Sequence, residues 1–212
     1  MNCLNPASLG MAWINLVRLT LNSGVSINDE FQELLAVHVS FPASTDKDPV
    51  IEQLGDRPMI AEMEKVFFSD SASSLGHSYA SLMSGPNGRR DLQDIVTLLR
   101  AEPSSRRAVV TLSGRGDGQV PCINVVQFLV RNRALHTVYF SRGQDAFQKF
   151  YADGLCVAKM ARRVAVGIGL PAGIVEGFIS SSHVYHRDRP AIDRFLANAA
   201  EFLPARQQNG VC

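Results

Sequence analysis

The chain has 212 residues, 46% of them hydrophobic and 19% charged, with a formal net charge of +1. That length suits one domain over residues 1–212 with a core of its own. The near-zero charge excludes nucleic-acid or membrane binding through bulk electrostatics, so any anion has to be held by a few local arginines. The four cysteines, Cys3, Cys122, Cys156 and Cys212, are scattered. They have neither metal-ligand spacing nor the look of a disulfide framework, which fits a reducing cytoplasm and no metal. The apolar stretch at 11–21 lacks a basic leader and a small-residue cleavage site, and no run is long enough to span a bilayer.

Met11, Ile14, Val17, Leu19 and Leu21 predict an amphipathic helix over Leu9–Asn22, stopped at Ser23-Gly24. The valine-rich alternation of Leu34–Phe41 predicts a strand, with His38 in a structural role. Pro42–Pro58 reads as a loop and Pro58–Phe68 as a helix with proline in its first turn. Glu62 and Glu64 fall on different faces of that helix. Ser69–Ser74 is a small-residue linker and Ser84–Gly88 a turn. Asp91 caps a helix over Leu92–Arg100. Ala108–Leu112 is strand-like, and the loop Ser113–Gln119 carries a coincidental Arg-Gly-Asp.

The apolar run after Pro121-Cys122 reads as a buried strand ending at Arg131-Asn132, which turns into a second strand over Ala134–Phe140. A long, nearly buried helix runs from about Gly154 to Gly167. A turn at Gly169–Gly173, a strand over Ile174–Ser180, the polar His183-Val184-Tyr185-His186 and a helix over Pro190–Phe202 complete the pattern. The fold class is α+β: one large sheet packed on a buried central helix.

Four polar groups fall at predicted strand ends: Arg106 with Arg107, Cys122, Arg142 with Asp145, and His183 with Tyr185. Guanidinium groups suit a phosphate, because they offer paired donors and stay charged. A cysteine beside them has its pKa lowered and becomes a better nucleophile. The combination describes a thiolate attacking a phosphate-bearing electrophile.

These motifs resemble the thymidylate synthase superfamily. Ser104-Ser105-Arg106-Arg107 is similar to its Asp-Ser-Arg-Arg, Pro121-Cys122 with Gln127-Phe128 to its Pro-Cys-His followed by Gln-Phe, and Arg142-Gly143-Gln144-Asp145 to its Arg-Ser-x-Asp. His183-Val184-Tyr185 is similar to its His-x-Tyr, and Leu75-Gly76 with Tyr79 to its Leu-Gly-Pro-x-Tyr. The resemblance implies a thymidylate synthase-like mixed sheet and a homodimer formed through it. It implies that Cys122 adds to C6 of a pyrimidine nucleoside monophosphate and makes C5 nucleophilic. Arg142 would hold the 5′-phosphate and help depress the cysteine pKa. Arg106 and Arg107 would reach the partner's site, His183 and Tyr185 would bond the sugar, Asp145 would line the base, and Tyr79 would assist proton removal from C5. Glu62, followed eight residues later by Asp70, would be the acid/base. The implied cofactor is 5,10-methylenetetrahydrofolate.

Departures from the family pattern shift the expectation. Asp153 stands where the family reads uracil with asparagine. A carboxyl group accepts from the exocyclic amine of cytosine and, when protonated, donates to N3. Aspartate occupies this place in relatives that hydroxymethylate cytosine nucleotides. Gly143 replaces a serine, Ile123 replaces a histidine, and Ser26–Glu30 offers no arginine for the phosphate. The tryptophan-bearing segment before Leu75 and the C-terminal extension over folate have no counterpart, so the folate side is expected to be reduced. The reading is 5-hydroxymethylation of CMP or dCMP. The alternatives are folate-independent C5 chemistry in a specialised biosynthetic pathway, methylation of dUMP, and a nucleotide-binding protein without catalysis.

Overall fold

The computed structural model describes residues 2–44, 47–69, 78–83, 91–112 and 120–203. Asp70, the 70–74 part of the linker, Leu75-Gly76, the turn at 84–88 and the loop at 113–119 lie outside the described residues. The chain opens with β1 (Asn2–Leu4), α1 (Leu9–Ser23), β2 (Val25–Ser26) and β3 (Phe31–Pro42). α2 (Pro49–Leu54), α3 (Arg57–Phe68), α4 (Tyr79–Met83) and α5 (Leu92–Ala101) follow. Then come β4 (Val109–Thr111), β5 (Ile123–Arg131), β6 (Ala134–Ser141), β7 (Gln144–Asp145), α6 (Phe150–Ile168), β8 (Ala172–Tyr185) and α7 (Arg189–Asn198).

The strands form one mixed sheet in the order β1-β3-β8-β6-β5-β4, with β2 added to β3 and β7 to β8. β6 and β8 are parallel, while β3 and β8 pair antiparallel over most of their length. β5 and β6 form the expected hairpin, turned by Asn132 and Arg133 with positive φ angles of 49° and 61°. Side chains of Ser8, Asp48, Asp56 and Asp91 accept backbone N–H groups and start α1, α2, α3 and α5.

α6 is the buried central helix. Its Ala152, Val157, Ala158, Met160, Ala161 and Val164 are fully buried in the core. Gly154 lets α1 approach, because a Cβ there would lie 2.5 Å from the Leu9 side chain. Trp13 is buried in α1, stacked 4.1 Å from Tyr151 and 4.3 Å from Phe195, and it donates to the Phe147 carbonyl at 2.9 Å. α1 and α6 cover one face of the sheet. The other face exposes Leu35, Phe140, Ile174 and Phe178, and Phe140 sits opposite Phe178 in register. His38 belongs to this open face, 3.4 Å from Glu176 and 4.8 Å from the Phe178 ring, a structural placement as expected.

Several elements depart from the sequence reading: α6, for one, begins at Phe150 rather than near Gly154, which places Asp153 in its first turn. The segment read as a loop from Pro42 to Pro58 contains α2, because Asp48 caps it and Pro49 occupies its first turn. β8 continues past Ser180 through Tyr185, so His183 and Tyr185 lie within the strand rather than after it. The last helix begins at Arg189 and gives way at Ala199 to a 3₁₀ turn through Phe202.

Candidate active site

The sheet brings three chain segments to one cavity of about 390 Å³, lined by Cys122, Arg142–Asp145, Gln148, Lys149, Asp153, His183, Tyr185 and Arg187. Cys122 immediately precedes β5 and is half-buried. Its carbonyl accepts from Arg142 N–H at 2.9 Å and from the Ser141 hydroxyl at 3.1 Å. The Arg142 guanidinium donates from Nε and Nη2 to the Val120 and Pro121 carbonyls at 2.7–3.1 Å. The turn that presents the thiol is thereby fixed by the same arginine that was expected to face a phosphate. Tyr79 is buried, and its hydroxyl accepts from Ile123 N–H at 3.4 Å, next to the cysteine.

β7 pairs with β8 so that Gln144 faces Ser182 and Asp145 faces His183. Asp145 accepts from the N–H groups of Phe147 and Gln148 at 3.0 and 2.8 Å, which sets up the start of α6. Asp153, in the first turn of α6, is fully buried. Its Oδ2 accepts from Gln144 Nε2 at 2.8 Å. Asp153 Oδ1 and Gln144 Oε1 are buried without a partner among the described residues. His183 and Tyr185 meet edge to face at 5.4 Å, with Phe31 packed beside both.

Burial dominates the electrostatics. It pushes the Asp153 carboxyl up to about 6, against the opposing Gln144 hydrogen bond and Lys149 charge. Burial and then the Asp153 charge raise the Cys122 thiol above its ordinary value. Arg142 and Lys149 pull it down without prevailing. The lowered cysteine pKa expected from the nearby arginines is therefore corrected in the free protein. Burial also lowers His183, against the attraction of Asp145, and raises Asp145.

Cys122, Arg142, Asp145, Asp153, His183 and Tyr185 thus gather in one cavity, with Tyr79 beside the cysteine. Glu62, Arg106 and Arg107 do not line it. Glu62 lies 3.9 Å from Lys65, and Arg107 pairs with Glu102 at 2.6 Å. Four lining residues escaped the sequence reading: Gln144, Gln148, Lys149 and Arg187. Gln144 was concealed as the variable position inside Arg142–Asp145, and Arg187 stands only two residues beyond Tyr185. Among the described residues no cluster of acidic, histidine and cysteine side chains could hold a metal. No helix there is long and apolar enough to cross a membrane.

A sequence model of one family, described as thymidylate synthase, matches residues 17–209. A curated protein of Methanocaldococcus jannaschii, named "Putative thymidylate synthase", is 24% identical over 96% of this chain and all of its own length. Similarly named proteins of Methanosarcina mazei and Methanothermobacter marburgensis are 23% and 25% identical over 91% and 82% of this chain, covering 94% and 88% of their own lengths.

Proposed function

Because the chain belongs to the thymidylate synthase family, we propose that it transfers a one-carbon group to C5 of a pyrimidine nucleoside monophosphate, in the form of CMP or dCMP 5-hydroxymethylation. The observation that carries the base assignment is the buried Asp153 carboxyl, hydrogen-bonded to Gln144 through one oxygen and with the other unpartnered among the described residues; burial raises its pKa to about 6, so it takes up a proton far more readily than an ordinary carboxyl. Protonated, it donates to N3 of cytosine and accepts from the exocyclic amine. The Gln144 hydrogen bond fixes its orientation.

Cys122 is the nucleophile. Its sulfur forms a bond to C6, the C5–C6 π electrons move onto the ring, and C5 becomes the carbon nucleophile. Once C5 has bonded to the one-carbon unit that the bound cofactor would supply, loss of the C5 proton and cleavage of the C6–S bond, with the thiolate leaving, restore the ring, and water provides the hydroxyl of the product. Neutralising Asp153 on binding removes a charge that opposes the thiolate, so base recognition and nucleophile activation are coupled. Tyr79 stands beside the cysteine to help move the C5 proton. His183 and Tyr185 hold the sugar, Asp145 lines the base, and Arg142 serves the phosphate and the cysteine turn. Glu62 is assigned the acid/base role at one remove from the cavity lining.

A second cavity of about 570 Å³ shares Gln148 with the first and is walled by Trp13, Phe147, Tyr151 and Phe195, with Asp56 and Asp188 among its polar groups. These residues would hold a flat, donor-rich heterocycle such as the pterin of methylenetetrahydrofolate, the rings offering apolar surface and the carboxylates acceptors. When bound, that cofactor supplies a methylene carbon. We place the two-fold partner on the open sheet face and assign Arg106 and Arg107 to its site, since neither serves the cavity of its own protomer.

Tritium release from C5-labelled CMP, dCMP, UMP and dUMP, with and without methylenetetrahydrofolate, tests the reading. Folate-stimulated release from one cytosine nucleotide, lost in Cys122→Ser with nucleotide binding kept, is the expected result. Release without folate supports the folate-independent alternative. No release from any substrate overturns the enzymatic reading.

A further inference from the structure

Two guanidinium groups line the Cys122 cavity, those of Arg142 and Arg187. Arg142 has Nε and Nη2 committed to main-chain carbonyls. Arg187 makes no hydrogen bond or ion pair among the described residues. Its guanidinium carbon lies 4.4 Å from the centroid of the Tyr185 ring. The acids near it in sequence are engaged elsewhere: Asp188 accepts from Gln148 at 2.6 Å and Asp193 from Arg189 at 2.9 Å. Stacking uses the face of a guanidinium and leaves its N–H edge free, which is the edge that grips a phosphate with two parallel bonds.

The backbone under Arg187 is anchored. It occupies a single 3₁₀ turn, His186–Asp188, directly after β8. His186 N–H donates to the Glu30 carbonyl at 2.8 Å, and the His186 ring meets the Ser26 hydroxyl at 3.0 Å. That contact ties the turn to the 26–30 segment, which holds no basic residue of its own. A cation at this rim is therefore supplied from the β8 side.

We propose that Arg187, held over the Tyr185 ring, is a phosphate-binding residue of the Cys122 cavity and takes the phosphomonoester of the substrate. The inference rests on the nucleotide reading above and adds to it the group that recognises the phosphate. Arg142 then acts chiefly on the cysteine turn, and the two arginines divide what one was expected to do.

The test compares binding of cytidine with CMP, and of deoxycytidine with dCMP, by titration calorimetry at low salt. It uses the full chain and the variants Arg187→Gln and Arg187→Lys. Arg187 is exposed and, apart from the Tyr185 ring, has no side-chain partner among the described residues, so folding is expected to be unaffected. The expected result is that Arg187→Gln reduces the gain in affinity conferred by the phosphate by about tenfold or more. Nucleoside affinity stays as it was, and Arg187→Lys recovers part of the loss. An unchanged phosphate gain in Arg187→Gln overturns this inference alone. An equal loss for nucleoside and nucleotide also overturns it, since that is the mark of a structural role. A wild-type protein that binds neither compound overturns the nucleotide reading together with it.

Discussion

Replacing Asp153 by asparagine is expected to stabilise the protein at neutral pH. The carboxyl titrates at about 6 in the folded chain against an ordinary value of 3.8. A raised folded pKa means the native state holds its proton longer than the unfolded one, so stability falls as pH rises between the two values. At about 1.36 kcal/mol per unit, the native state carries about 3 kcal/mol of this penalty at pH 7.5, about 1.6 at pH 5 and about 0.5 at pH 4. Asparagine keeps an acceptor for Gln144 and carries no charge, but its second polar atom stays buried without a partner, which costs of order 1 kcal/mol. The absolute gain is thus about 2 kcal/mol at pH 7.5. The cleaner quantity is the pH dependence of the difference, about 2.5 kcal/mol between pH 4 and 7.5, because titrating groups that do not interact with Asp153 cancel. Urea unfolding of both proteins at pH 4, 5 and 7.5 measures it. A difference that does not grow with pH would refute the assignment of a strained, buried carboxylate at this position.

Two further expectations follow from the same site and from the sheet. Asp153→Asn should lower the apparent pKa for alkylation of Cys122 by iodoacetamide, followed by mass on the peptide that contains it; an unshifted profile would mean that the two groups are not coupled. Burying a phenylalanine is worth about 2 kcal/mol, so Phe178→Asp costs the proposed dimer about 4 kcal/mol over its two copies. Sedimentation should then show monomers where the wild type dimerises, and a variant that still dimerises would place the interface elsewhere.

Much of this architecture was legible in residue patterns, and the misses have physical causes. β5 and α6 are so apolar that no alternative placement competes. The polar run Ser181-Ser182-His183 hides the last five residues of β8, which extends to Tyr185. In the fold Ser182 and His183 are paired on both sides, by β3 and by β7, and Ser181 pairs with Leu35 of β3. The Ser182 hydroxyl, fully buried, meets the Thr20 hydroxyl at 2.8 Å. Tertiary pairing overrides local preference there. Most cavity residues are legible because they stand in recognisable short strings, and Asp153 because it falls eight residues after Asp145, where the family has asparagine. Gln148 and Lys149 were missed because only the Asp145-capped turn into α6 brings them to the cavity. The sign of the cysteine shift is also beyond the sequence, since it depends first on how deeply Cys122 itself is buried and then on the nearby Asp153 charge.

The chain contains a single tryptophan, and its position makes it a built-in optical reporter. The Trp13 indole N–H is bonded to the carbonyl of Phe147, whose own N–H is held by Asp145. Anything that rearranges the 145–149 segment as a ligand enters therefore acts on the dipole environment of one fluorophore. Its emission is also open to quenching by the adjoining Tyr151 and Phe195 rings. Occupancy of the cavity can be followed by intrinsic fluorescence, without a label and without turnover.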